Sequence, residues 1–132
     1  MAVSEDLASD GNIKQYLDAF CNYQKSYRNA ANLSWDHALL LTGLDLYSMP
    51  DMDMGSSGMS YQSGMCSEES SCTVAELSSP GASSLIVAHE LAHSIGVSHD
   101  GEGDNLHCNP HSYIMGPKLS PRATHWSPCS MK

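Results

Sequence analysis

The chain has 132 residues, which suits a single domain with one modest core and is too short for two. Fifteen acidic residues against six basic ones give a formal net charge of −9, which opposes attraction to phosphate backbones and anionic membrane surfaces, so no nucleic-acid partner is expected. No apolar run is long enough to span a bilayer, and the opening "MAVSEDLASDGN" lacks the basic and apolar regions of a secretory leader.

Residues 1 to 11 are expected to form a disordered tail. Over residues 12 to 28, Ile13, Leu17, Phe20, Cys21 and Gln24 recur at steps of three and four, which predicts an amphipathic helix. "HALLLTGLDLY", 37 to 47, has a short apolar run closed by Gly43 and reads as a buried strand followed by a turn. From Ser48 to Cys72, glycine, serine and irregularly spaced methionines predict a long surface loop with one edge strand near Met59 to Ser63. A further short strand is expected at "CTVAEL". In "SSPGASSLIVAHELAHSIG", Ser79 is a candidate helix cap and Pro80 sits where a first-turn proline is tolerated. Leu85, Ala88, Ala92 and Ile95 form the expected apolar face. Beyond Gly96, Pro110, Pro117, Pro121 and Pro128 forbid a long helix. These elements predict an α+β fold in a single domain over 1 to 132, with no internal repeat.

Five cysteines, Cys21, Cys66, Cys72, Cys108 and Cys129, lack the paired spacing of a structural zinc site, so disulfides in an oxidising compartment are the better reading. The count is odd, which leaves one over. Asn32-Leu33-Ser34 matches the N-glycosylation acceptor pattern and agrees with an extracellular location, with any leader lying outside this chain.

Most of the chemistry lies in "HELAHSIGVSHD", residues 89 to 100. Four helical residues advance about 6 Å and rotate about 400°, so His89 and His93 stand one turn apart on one face and can share a metal ion. Glu90, rotated by about 100° from His89, falls beside that ion, where it can hold a water as general base. A continued helix would aim His99 away. Gly96 can adopt positive φ at little cost, ending the helix and letting the chain turn back so that His99 completes the set. Three neutral histidines on Zn²⁺ leave a coordination position open for water, the mark of a catalytic site. The extended pattern HExxHxxGxxHD fixes six positions and is far more specific than HExxH alone. His37, His107, His111 and His125 have no partners at ligand spacing and are expected in ordinary surface or loop roles. Trp35 and Trp126 are expected to serve packing.

With this motif the sequence resembles the metzincins, and within them the adamalysin/reprolysin group, whose signature adds an aspartate after the third histidine, here Asp100. "YIMGP", Tyr113 to Pro117, resembles that group's Met-turn, which implies that Met115 forms an apolar floor beneath the zinc. "FCNYQKS", "DHALLLTGLDL", "GMSYQSGMC", "SCTVAEL" and "WSPCS" are each similar to segments of the ADAMTS catalytic domain, covering roughly residues 13 to 131. The resemblance implies disulfides Cys21–Cys72 and Cys108–Cys129, with Cys66 paired beyond Lys132. It also implies Asp45 and Glu76 as ligands of a structural Ca²⁺, a role for which carboxylate oxygens suit.

Set against that family, the resemblance implies that this stretch of sequence leaves out the first strand, first helix and second strand and the closing helix, and it has no cysteine pair after "GLDL". Asp36 matches a second calcium ligand whose companions fall in the missing parts. A sheet without those strands is expected to leave apolar surface bare near "ALLL". The family's usual glycine within HExxH is Ala92 here, a small-for-small change that favours helix.

The fold implied is thus a partial metzincin domain: a small mixed sheet, an active-site helix carrying HExxH, and an irregular C-terminal part with a Met-turn. The function implied is that of a zinc-dependent endopeptidase hydrolysing internal peptide bonds through a water activated by Glu90. Substrate would lie extended against the edge strand near Met59 to Ser63, with Pro117 and Leu119 in the side-chain pocket. The alternative is a catalytically inactive zinc-binding protein that engages a partner protein without cleaving it. The sequence leaves the oligomeric state open.

Overall fold

A computed structural model describes residues 11–51 and 57–132. Of the tail expected over residues 1 to 11, residues 1 to 10 lie outside the described residues. Gly11 does not belong to such a tail: it is buried, with φ +101°, and its carbonyl accepts the Tyr47 amide at 2.9 Å.

Helix α1 (Ile13–Ala30) starts where the Asn12 side chain accepts the free amides of Lys14 and Gln15. Ile13, Tyr16, Leu17, Phe20, Cys21 and Gln24 are its buried stripe, which meets Leu40, Leu46, Cys72 and Val74 in the larger core. The Cys21–Cys72 disulfide staples this helix to the sheet. Gln24, fully buried in an otherwise apolar stripe, accepts the Trp35 indole N–H at 2.8 Å, so its carbonyl oxygen is satisfied.

Among the described residues, three strands form a mixed sheet in the order β1-β3-β2: β1 (Ala38–Thr42), β2 (Gly58–Ser60) and β3 (Cys72–Glu76). β1 runs parallel to β3, which requires a long connection, and β2 runs antiparallel to β3. The central position of β3 explains why Cys72 to Ala75 are all buried. β1 is an edge strand whose Leu39 and Leu41 are 39% and 46% exposed while Leu40, on the opposite face, packs toward α1.

Helix α2 (Pro80–Ser94) opens with Ser79 capping the Ala82 amide at 3.4 Å and with proline in the first turn. Its buried face is Ile86, His89, Glu90, Ala92 and Ser94, with Leu85 and Ala88 partly covered. This corrects the expected apolar stripe at one position: Ile95 is 63% exposed. The helix ends one residue before Ile95, which serves as its C-cap, so the helical periodicity no longer sets its direction. Gly96 follows with φ +105°, its amide bonding the His93 carbonyl while the Val97 amide bonds that of Ala92. This pair of bonds is the Schellman motif, which needs a residue that tolerates positive φ. Beyond it, apart from a short 3₁₀ turn at Gly103–Asn105, the described chain is irregular.

Candidate metal centre and cleft

The turn at Gly96 brings His99 back against α2. The Nε2 atoms of His89, His93 and His99 form a near-equilateral triangle: 3.1 Å between His89 and His93, 3.2 Å between His89 and His99, and 3.0 Å between His93 and His99. Every second ring nitrogen has an acceptor. His89 Nδ1 donates to the Ile114 carbonyl at 2.7 Å, His93 Nδ1 to the Val97 carbonyl at 2.8 Å, and His99 Nδ1 to Glu102 Oε2 at 3.3 Å.

Those outer bonds decide what the centre can hold. With the proton on each Nδ1, all three Nε2 atoms are acceptors, and none can donate to its neighbours. Three converging lone pairs repel one another unless a cation lies between them. The centre of a triangle of this size is about 1.8 Å from each corner, close to the usual zinc–imidazole bond of about 2.0–2.1 Å. A three-histidine set with outer acceptors on the rings is a donor set that fits zinc. Burial disfavours the charged imidazolium and pushes His89 down to about 4, opposed by the Ile114 carbonyl; burial lowers His93 as well. Neutral His89 and His93 rings, as ligation requires, are therefore favoured at neutral pH.

Glu90 is buried, 7% exposed, on the side of α2 that faces β2. Burial pushes its carboxyl up to about 7, opposed by hydrogen bonding from Ser60. The Ser60 hydroxyl is 2.6 Å from the Glu90 main-chain oxygen and 3.2 Å from Oε2.

A cleft of about 650 Å³ runs past these groups. Ser57 to Ser60 border it on one side, Pro117 to Pro121 on the other, with His89, Glu90, His93 and His99 among its lining. The segment carrying Pro117 is tied to the histidines from below. Met115 is fully buried with Ala92 and Ile114, its carbonyl accepts the Asp100 amide at 2.8 Å, and the Ile114 carbonyl accepts His89.

The remaining residues singled out in the sequence lie elsewhere. Glu76 Oε2 accepts the Leu46 amide at 3.2 Å, which brings its carboxylate next to the chain at Asp45. Asn32 is exposed in the turn after α1 with φ 51°, a left-handed conformation that asparagine tolerates. The disulfides are Cys21–Cys72 and Cys108–Cys129, and Cys66 is a free, exposed thiol. His37 departs from an ordinary surface role: it is half-buried and its Nε2 meets Thr73 Oγ1 at 2.8 Å. His107 lies 3.3 Å from Cys129 Sγ, against sulfur already committed to a disulfide.

Sequence reasoning missed the Ser60 contact, the Asp100–Ser127 bond at 2.6 Å, and the acceptors behind the three rings. Two of those acceptors are main-chain carbonyls, which carry no residue signature. Only Glu102, three residues after His99, could have been noticed.

A family model described as "Reprolysin (M12B) family zinc metalloprotease" matches residues 4–132. The chain belongs to the reprolysin (M12B) family of zinc metalloproteases. It is 40% identical over 116 residues to the human protein "A disintegrin and metalloproteinase with thrombospondin motifs 16", covering 86% of this chain and 9% of that one. The mouse protein numbered 18 in the same series is 36% identical over 132 residues, covering 96% of this chain and 10% of the relative. The corresponding Caenorhabditis elegans protein adt-1 is 31% identical over 135 residues, covering 99% and 9%. The chain thus spans about a tenth of the length of these relatives. Among the described residues, no helix is long and apolar enough to cross a membrane.

Proposed function

We propose that this chain is a zinc-dependent endopeptidase domain in which His89, His93 and His99 hold the zinc and Glu90 is the general base. The observation that carries this reading is the convergence of three Nε2 acceptors in a cleft beside a buried carboxyl. When bound, zinc supplies Lewis acidity to a water and to the scissile peptide carbonyl. Glu90 takes a proton from the attacking water onto its carboxylate and delivers it to the leaving amine. A carboxyl near 7 in its burial site holds or gives up that proton at neutral pH without a large penalty.

Substrate lies extended along the outer edge of β2, adding main-chain hydrogen bonds as a further strand. Pro117 and Leu119 line the opposite wall and bear on side-chain choice, and Met115 is the apolar floor beneath the histidines. The reading includes a structural Ca²⁺ held by Asp45 and Glu76, a glycan on Asn32, and an extracellular location, to which the two disulfides lend support. The test is zinc stoichiometry together with cleavage of a denatured protein substrate, for wild type and Glu90→Gln. Zinc bound equally by both, with cleavage lost in the variant by a factor of about 100 or more, is the expected result. Equal cleavage by the two proteins removes Glu90 as the base, and zinc without cleavage in either leaves a binding role.

A further inference from the structure

The cleft wall formed by β2 is not a passive edge. In a strand, residues two apart face the same way, so Gly58 and Ser60 share the face of β2 turned to α2, while Met59 turns away to pack against the larger core. Both face Glu90. A Cβ added at Gly58 would fall 2.7 Å from Glu90 Cγ, 3.1 Å from its Oε1 and 2.8 Å from Ile86 Cγ2, so the glutamate stem fits only because position 58 has no side chain. Two positions on, the Ser60 hydroxyl shares its hydrogen between the Glu90 main-chain oxygen and Oε2. The shorter bond ties the hydroxyl to the helix; the longer one ties the carboxylate to that fixed oxygen. One carboxylate oxygen is thus set against bare backbone and the other against a pinned donor.

We propose that Gly58 and Ser60 form a seat for the Glu90 carboxylate, with Ser60 a positioning residue that sets the direction in which the base faces the cleft. The proposal rests on the reading of Glu90 as general base, and it adds the element that aims it. Because the seat belongs to β2, the strand proposed to bind substrate also places the group that acts on it. A side chain free to rotate would spend part of its time turned from the attacking water. Ser60 removes that freedom before substrate arrives.

The test compares wild type with Ser60→Ala, Ser60→Thr and Gly58→Ala, using crystal structures of the metal-free proteins and steady-state kinetics of the zinc-loaded ones. In Ser60→Ala the Glu90 carboxylate should leave its position or split into two rotamers, kcat should fall about tenfold, and KM and zinc stoichiometry should hold. Ser60→Thr keeps the hydroxyl and should restore both the carboxylate position and most of kcat. Gly58→Ala should displace the glutamate stem with the hydroxyl still present, and lower kcat independently of Ser60. A carboxylate that stays in place in metal-free Ser60→Ala overturns the proposal whatever the rates. So does a kinetic loss confined to KM. If wild type and Glu90→Gln cleave equally, the base reading fails, and the metal-free structures still decide whether Ser60 seats the carboxylate.

Discussion

Where α1 meets the sheet, nine buried apolar side chains of the described residues from Ile13 to Val74 form one continuous core. Beneath the histidines the corresponding cluster of described residues is Ala92, Ile114 and Met115, and what holds the chain there is mostly polar. Ser127 donates to Asp100 at 2.6 Å, Asn105 Nδ2 reaches the carbonyls of Ser98 and His99 at 3.3 Å, and Asp100 bonds the Met115 carbonyl. The Cys108–Cys129 disulfide closes the segment that contains Met115 and Pro117. Apolar burial gives the first region its stability without demanding exact directions. The second region needs three nitrogens aimed at one point, and directional bonds with a covalent closure supply that.

Damage to the two regions should therefore be read by different instruments. Leu17 is 1% exposed at the centre of the first core, so Leu17→Ala should cost about 2–5 kcal/mol in urea unfolding. Zinc affinity of the folded fraction should be unchanged. A variant that loses zinc binding in proportion to its stability would show that the two regions are one cooperative device.

Removing the Cys108–Cys129 closure by a Cys108→Ser/Cys129→Ser double variant works in the opposite sense. The bridge spans a sequence separation of 21, so the loop-entropy argument gives about 3 kcal/mol. The sharper effect should be on zinc, because the loop carries the Ile114 carbonyl that orients His89. Loss of such an outer partner typically costs about 10- to 100-fold in metal affinity, measurable by competition with a chelator. Unaltered zinc affinity would show that the loop keeps its place without the bridge.

The same contrast explains how much could be read from the residues. Ile13, Leu17, Phe20, Cys21 and Gln24 announce a helix because burial of one face imposes a period of about 3.6 on the sequence. The strands at "ALLLT" and "CTVAE" are legible as short apolar runs and not by that period, and the first is corrected from a buried strand to an edge strand whose Leu39 and Leu41 are 39% and 46% exposed; the helix start at Ser79-Pro80 is legible from its cap. Gly96 is legible because a Schellman turn favours a residue that tolerates positive φ. Ile95 departs from the predicted stripe because the periodic rule holds only up to the helix end, which falls at Ser94. The polar tethers leave no periodic trace. Asp100 and Ser127 are 27 positions apart, Ser60 and Glu90 30 apart, and the carbonyls of Val97 and Ile114 are common to every residue type.

A finer discrimination comes from protons in the metal-free protein, where the site titrates and the apolar core does not. His89 has a native pKa of about 4 against an ordinary 6.5, so between those values the unfolded chain binds more protons and stability rises with pH. His93, also lowered, adds to that rise. Glu90 has a native pKa of about 7 against an ordinary 4.5, so across that window the folded chain binds more protons and stability falls with pH. The Glu90 slope offsets that of His89 from about pH 4.5 to 6.5, so wild type should rise there only by the part His93 adds. Glu90→Gln removes the falling limb. Its chelator-treated form should gain stability more steeply over that range and should exceed wild type above pH 7, where the buried charge is absent. Leu17→Ala should instead move the whole curve down without altering its slope. Parallel curves for wild type and Glu90→Gln would mean that burial does not penalise the Glu90 charge, and the close packing of α2 against β2 would then need another explanation.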